Sequence, residues 1–287
     1  MKILVVGVNG MLGNSIARAF PGEVKGTYNS IFIESNFNDV KLDITNNEEV
    51  LSVVKSVSPD IVFNCAAMTN VDSCEENRHA AEKIHVDGTR HLSEACSRVG
   101  AKFVHISTDF VFDGKNGNYS ESDRAVPINI YGKTKLAGEG VLGEDDLLIR
   151  TCIFGINVEN KKSMVEWIVH ELENGRPINV FNDSFFTPIY TGHLANIMLE
   201  MCRKEMKGLY HVASAERIDK YAFALAVADI FGLDKNLISP SSIKDFHRKA
   251  PRPVDTSLRC SKVLSHGIRL NDFKEELKMM KNDWNRN

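Results

Sequence analysis

Near the start of the chain, Gly7-Val8-Asn9-Gly10-Met11-Leu12-Gly13 sets three glycines at three-residue intervals directly behind the apolar run Ile3–Val6. A continuous apolar run is the pattern of a parallel strand covered on both faces. After it, Leu12, Ile16, Ala19 and Phe20 recur at helical spacing. At such a strand-to-helix turn each glycine has its own physical task. Gly7 permits the tight turn, Gly10 lets the backbone approach a pyrophosphate, and Gly13 lets helix and strand pack closely. The helix N-terminus adds free N–H groups and partial positive charge for phosphates.

The strand–helix alternation continues through the first half. Further strands are expected near Glu23–Tyr28, ending near Leu42–Asp43, and at Ile61–Cys65, Lys102–Ile106 and Leu147–Ile149. Thr45-Asn46-Asn47-Glu48 reads as a capping box ahead of a helix with the stripe Val50, Leu51, Val54 and Val57. One long helix is expected over roughly Glu82–Val99, closed by Gly100, and another carries Tyr131 and Lys135. Such order implies a parallel sheet with right-handed crossovers, an α/β fold of the Rossmann-type doubly wound kind. The second half is less regular. It suggests a helix near Ser163–Glu173, a strand at Pro177–Val180, a helix at Thr191–Lys204 and a strand at Leu209–Val212. The expected division is a dinucleotide-binding domain over 1–152 and a smaller C-terminal substrate-binding lobe over 153–287, with 177–213 returning to the first domain.

Composition narrows the function classes. A formal net charge of −3 gives no general nucleic-acid surface. The six cysteines are widely spaced without a CxxC pair, as thiols of a reducing compartment. The N-terminal apolar run is too short for a signal-peptide core or a spanning helix, so no membrane is expected and the cytoplasm is the default location. His79, His85 and His91 recur every six residues, which turns a helix about 120° off its starting face. They read as packing and surface residues, and no metal is expected. Met198 and Met201 read as an apolar helix face with Leu194 and Ile197, and the stretch from Lys274 to Asn287 as a solvated terminal helix.

The chemistry is expected where sheet strands end. Ser107-Thr108-Asp109 follows the strand Lys102–Ile106 at its carboxyl end, where open parallel sheets bind ligands. Tyr131 and Lys135 are four apart and share a helix face. That suits a phenol as proton donor and an ammonium that lowers its pKa and holds the nicotinamide ribose. Thr108 would hydrogen-bond the oxygen that Tyr131 protonates. The second strand ends Gly26-Thr27-Tyr28-Asn29-Ser30 without the acid that usually accepts adenosine ribose hydroxyls. A 2′-phosphate would meet no repulsion there, so NADP(H) is favoured and NAD(H) remains open.

These residues resemble the extended short-chain dehydrogenase/reductase superfamily and, within it, the dTDP-4-dehydrorhamnose reductases, the last enzymes of dTDP-L-rhamnose synthesis. The likeness runs nearly end to end through GVNGMLG, KLDIT, PDIVFNCAAMTNVD, FVHISTDFVFDG, PINIYGKTKLAGE, LLIRT, TPIYTGHLA, GLYHVA and APRPVDTSL. The resemblance implies NAD(P)H-dependent reduction of the C4 keto group of a nucleotide-activated deoxysugar. Tyr131 would donate the proton, Lys135 would assist, and Thr108 and Asp109 would contact the sugar. Gly10, Met11, Leu12, Asp43, Ile44, Cys65, Ala66 and Ala67 would line the dinucleotide, and Arg252 would meet the nucleotide or its diphosphate.

This chain departs from the family pattern at several positions. Arg150-Thr151-Cys152-Ile153 stands where the reductases have Arg-Thr-Ser-Trp, so Ile153 replaces a tryptophan implied in substrate contact. His85 replaces a usual asparagine. Ser15 and His193 replace glutamates that bridge a dimer through a metal in some members. Thr108-Asp109-Phe110 lacks the Asp-Glu pair of the 4,6-dehydratases. Another keto-sugar nucleotide, or an epimerase-reductase, stays open. So does a reading from another class: the regulatory β-subunit of methionine adenosyltransferase resembles these reductases and also has isoleucine at the position of Ile153. A homodimer through helices flanking the sheet is compatible with the sequence, though no residue requires it.

Overall fold

The structure is a computed structural model that describes residues 1–29, 37, 39–158, 161–246 and 248–285. The first half runs β1 (Lys2–Val6), α1 (Met11–Ala19), β2 (Glu23–Tyr28), β3 (Val40–Lys41), α2 (Asn47–Val57) and β4 (Ile61–Asn64). It continues with α3 (Val71–Glu76), α4 (Arg78–Glu82), a π-helical turn (Lys83–Asp87), α5 (Gly88–Val99), β5 (Lys102–Thr108), α6 (Ile130–Glu139) and β6 (Leu147–Thr151). The second half holds β7 (Ile153–Phe154), α7 (Met164–Glu173), β8 (Ile178–Phe181), β9 (Phe185–Phe186), β10 (Ile189–Tyr190) and α8 (Thr191–Arg203). It ends with β11 (Gly208–His211), β12 (Ile218–Asp219), α9 (Lys220–Phe231), β13 (Ile238–Ser241), α10 (Ser261–Ser265) and α11 (Phe273–Trp284).

Seven strands form one parallel sheet in the order β11-β6-β5-β4-β1-β2-β3. Strand order reverses between β1 and β4, so a crevice opens beyond their carboxyl ends, as in doubly wound sheets generally. The period of two along β1 builds both faces. Ile3 and Val5 join the core under α1 and α8, while Leu4 and Val6 join the core under α2 and α5. All four are buried, and each contributes about 1.5–3 kcal/mol by leaving water. A third core belongs to the smaller lobe, where Val165, Ile168 and Leu172 of α7 meet Phe223 and Val227 of α9 and Leu277 of α11.

Several local expectations change. The N-cap of α2 is Asn46, whose side chain accepts from Glu48 and Glu49 N–H; Thr45 instead binds Asp43 Oδ1. The long helix expected from Glu82 begins earlier, at Arg78 where Asn77 caps α4, and runs on through the π-helical turn into α5. Gly100 closes α5 with φ 73, as a left-handed cap requires. Within 177–213, β8 pairs with β13 in the smaller lobe, whereas α8 and β11 lie against the large sheet. Of 177–213 only α8 and β11 therefore lie with the large sheet, because β8, β9 and β10 find their partners in β13, β12 and β7. Among the described residues, no helix is long and apolar enough to cross a membrane.

Candidate active site

The glycine turn forms one wall of a 240 Å³ cleft at the carboxyl ends of β1, β2 and β4. Gly7 has φ +81, a left-handed conformation that favours glycine, and a Cβ there would also press on the Ala66 backbone at 3.0 Å. A Cβ on Gly13 would lie 2.2 Å from the Gly7 carbonyl oxygen, so α1 seats against its own turn only with glycine at this position. Gly10 differs. The nearest atom to its would-be Cβ is Gly7 O at 3.4 Å, an ordinary contact. Protein packing does not demand glycine there, whereas close approach of a ligand would. The N-cap of α1 is Gly10, which has no side chain to cap the helix. Gly7, Gly10, Asp43, Ile44, Cys65, Ala66 and Ala67 line this cleft together with Thr27, Tyr28 and Asn29. Ser30, the last of the polar residues expected there, lies outside the described residues.

Cys65 and Ala67 also line a second cleft of 400 Å³, which makes the two neighbours. Met11, Leu12 and Gly13 border it, and so do Thr108, Asp109, Tyr131, Lys135 and Ile153. The Thr108 hydroxyl donates to Asp109 Oδ1 at 3.0 Å and accepts the Phe110 N–H at 3.2 Å, and Tyr131 lines the same cleft. Asp109 is buried, accepts from Thr256 and bonds Cys152. Burial pushes its carboxyl up, and the hydroxyl donors oppose that.

Tyr131 is held in place from two sides. The Phe110 and His85 rings meet it edge-on at centroid distances of 6.0 and 5.8 Å. Burial pushes its phenol well above the usual value, the Thr108 hydroxyl lowers it, and the Asp109 charge raises it. The sequence predicts an ammonium at Lys135 that lowers this pKa. In the structure Lys135 Nζ instead donates to the Ile106 carbonyl at 2.7 Å and lies 3.4 Å from His105 Nε2. Burial lowers Lys135 to about 8, with Glu139 and Cys65 acting in the opposite sense.

Two residues that sequence reasoning assigned to packing or left aside form the layer behind the site. His85 is buried, its Nε2 accepts the Met68 N–H at 3.0 Å, and its Nδ1 faces Thr134 Oγ1 at 2.8 Å. Its packing role thus falls directly behind Tyr131, and burial lowers its pKa to about 3. A Cβ on Gly138 would lie 2.2 Å from His85 O, so α6 closes on the π-helical turn through a glycine. His105 sits in β5 inside an apolar run, with no pattern in the sequence to mark it. Glu139 and Arg150 form a buried ion pair at 2.6 Å that ties α6 to β6. Arg252 does not line either cleft. Its guanidinium binds Asp72 at 2.9 Å and the Ala250 carbonyl. Half-buried Lys220, at the start of α9, lies in electrostatic reach of Cys152 and Asp109 as well as Arg248 and Arg252.

Comparison with known proteins places this geometry. A family model described as RmlD substrate binding domain matches residues 1–285. The "probable low-salt glycan biosynthesis reductase Agl14" of Haloferax volcanii is 32% identical over 273 residues, covering 92% of this chain and 91% of that protein. The methionine adenosyltransferase 2 subunit beta of Pongo abelii is 28% identical over 277 residues, covering 93% of this chain and 83% of that protein. The crystal structure of dTDP-4-dehydrorhamnose reductase from Bacillus anthracis str. Ames, in complex with NADP, superposes with a TM-score of 0.88 at 28% identity. It covers 98% of this chain and 99% of that chain. With the glycine turn, the Thr108–Tyr131 pair and the end-to-end match together, the chain belongs to the RmlD family, that of the dTDP-4-dehydrorhamnose reductases.

Proposed function

We propose that this protein is an NAD(P)H-dependent reductase of a nucleotide-linked 4-keto sugar, with dTDP-4-dehydro-L-rhamnose reduced to dTDP-L-rhamnose. The observation that carries the reading is that Thr108, Tyr131 and Lys135 line one cleft next to the glycine cleft. The residues of the glycine cleft fit a dinucleotide. Gly10 is open to a ligand, the α1 N-terminus suits a pyrophosphate, and Thr27 and Asn29 offer donors to a 2′-phosphate. That donor set, without an acid at the end of β2, favours NADP(H). When bound, the dinucleotide supplies the hydride.

The chain's own residues handle the proton. With its pKa raised, Tyr131 is fully protonated at neutral pH and is a donor to a carbonyl oxygen. Thr108, held by Asp109 at rest, flanks the phenol, and its hydroxyl would turn from Asp109 to donate to the same carbonyl. Lys135, which lines the cleft, would meet the nicotinamide ribose. Ile153 contributes an apolar wall where Cys152 and Asp109 bound the cleft. Lys220, in electrostatic reach of Asp109 and Cys152, is the cation that would meet a substrate diphosphate.

The test is NADPH oxidation, and separately NADH oxidation, with dTDP-4-dehydro-L-rhamnose. Wild type should turn over, and Tyr131→Phe should lose at least about 100-fold in kcat, the scale of a general acid. Full activity in Tyr131→Phe would sink the mechanism. Tight dinucleotide binding without turnover would favour another keto sugar or a regulatory role like that of the synthetase β-subunit, which a partner pull-down would then address.

A further inference from the structure

Behind the clefts, a loop and a helix meet at one imidazole. His85 is the one buried residue of the π-helical turn. Its Nε2 receives the Met68 N–H at 3.0 Å, and a backbone amide can only donate, so Nε2 carries no proton. The ring's single proton is therefore on Nδ1, which faces Thr134 Oγ1 at 2.8 Å. An imidazolium would set an Nε2–H against the Met68 N–H, and burial and the Lys135 charge both oppose it. Thr134 accepts from His85 and keeps its own proton for the Ile130 carbonyl at 2.9 Å or the Tyr131 carbonyl at 3.1 Å. The donors thus run one way, from Met68 N–H through the imidazole and Thr134 to the first turn of α6.

Both ends of this chain border the clefts. Met68 belongs to the loop after β4, where Cys65, Ala66 and Ala67 line the glycine cleft and Thr69 lines the second. The Met68 carbonyl accepts from Cys74 Sγ at 3.2 Å, so that residue is held on both sides. At the other end, Thr134 stands three residues after Tyr131, and the His85 ring meets the Tyr131 ring edge-on at 5.8 Å. The His85 carbonyl takes the Thr89 hydroxyl at 2.7 Å, and α6 closes on the same carbonyl at Gly138. Helix α6 therefore rests on His85 at two levels, Thr134 and Gly138.

We propose that His85 is a positioning residue with two separable tasks: Nε2 sets the loop that borders both clefts, and Nδ1–H sets Tyr131 through Thr134. The second task rests on the reductase reading, because the place of the Tyr131 hydroxyl governs a rate only if Tyr131 delivers a proton. A glutamine at position 85 reaches as far as Nε2 and can accept the Met68 N–H through Oε1, but it offers nothing at the place of Nδ1. Valine at position 134 keeps the shape of threonine and removes the hydroxyl. Leucine at position 85 removes both bonds.

Two measurements need neither cofactor nor substrate. Histidine ¹⁵N NMR should find His85 neutral as the Nδ1–H tautomer at pH 7. Hydrogen exchange at the Met68 amide should stay near wild type in His85→Gln and Thr134→Val and quicken at least about 10-fold in His85→Leu, the scale of one lost buried hydrogen bond. NADPH affinity should follow the same order. In the reductase assay, His85→Gln and Thr134→Val should each lose about 10-fold in kcat with the NADPH Kd unchanged, and combining them should cost no more than the worse of the two, because both cut the same bond. A wild-type Nε2–H tautomer would overturn the proposal whatever the variants do. So would equal Met68 exchange in His85→Gln and His85→Leu, or additive losses in the double variant. If the keto sugar is not turned over, the reductase reading fails while the tautomer and the Met68 exchange still decide which bonds His85 makes.

Discussion

Replacing Glu139 by glutamine keeps the shape of the side chain and removes its charge. Its partner Arg150 binds it through Nη2 at 2.6 Å and Nε at 3.0 Å, and both side chains are only 6% exposed. Ser107 also donates to Glu139, and the guanidinium stacks over Phe112 at 5.3 Å. One terminal nitrogen, Arg150 Nη1, has no hydrogen-bond partner among the described residues, and the side-chain hydrogen bonds of Arg150 all go to Glu139. Breaking a buried pair on one side leaves an uncompensated charge and costs about 3–5 kcal/mol. For a chain of 287 residues, an unfolding entropy of about 2.1 cal/mol/K per residue makes that a drop in Tm of about 5–8 °C. Differential scanning calorimetry and urea unfolding would measure it. The double variant Glu139→Leu with Arg150→Met should lose less than the sum of the single changes by at least about 2 kcal/mol, because it leaves no charge behind. A cost under about 1 kcal/mol in Glu139→Gln, the value of an exposed pair, would refute the reasoning. So would additive single changes.

Two further outcomes follow from the geometry. Gly13→Ala forces a Cβ against the Gly7 carbonyl at 2.2 Å, so the turn must open; the expected loss is about 1–3 kcal/mol in stability together with weaker NADPH binding, read by thermal unfolding and nucleotide fluorescence. An alanine variant with wild-type Tm and affinity would show that the turn is not tight. His85 has its pKa lowered to about 3 by burial, against an unfolded value near 6.5. Between those values the unfolded chain binds a proton that the folded chain refuses. The contribution is therefore complete above about pH 6.5 and is lost as pH falls, at up to about 1.4 kcal/mol per unit. Unfolding free energies from pH 7 to 4 in wild type and His85→Gln should differ in slope in that sense, and equal slopes would contradict a buried neutral His85.

Local patterns in the sequence carried most of the fold because they report burial directly. The uninterrupted run Ile3–Val6 is buried on both faces, and the glycine spacing reproduces the contact of Gly13 with Gly7. Thr108, Tyr131 and Lys135 were legible because they sit at a strand end and on one turn of a helix, positions that local periodicity defines. The cap of α2 was misread by one residue, because Thr45 and Asn46 are both good caps and only Asp43, by claiming Thr45, decides between them.

The sequence alone determined the doubly wound sheet, the glycine turn and the identity of the residues beside the clefts, since each follows from spacing along one element. Tertiary structure decided what those residues do to one another. It turned Lys135 toward Ile106 and His105, set His85 behind Tyr131, spent Arg252 on Asp72, and moved β8 to β13. Each of these is a contact between residues far apart in the chain. Hydrogen-bond direction and charge burial act across space, and no period along a strand or helix records them.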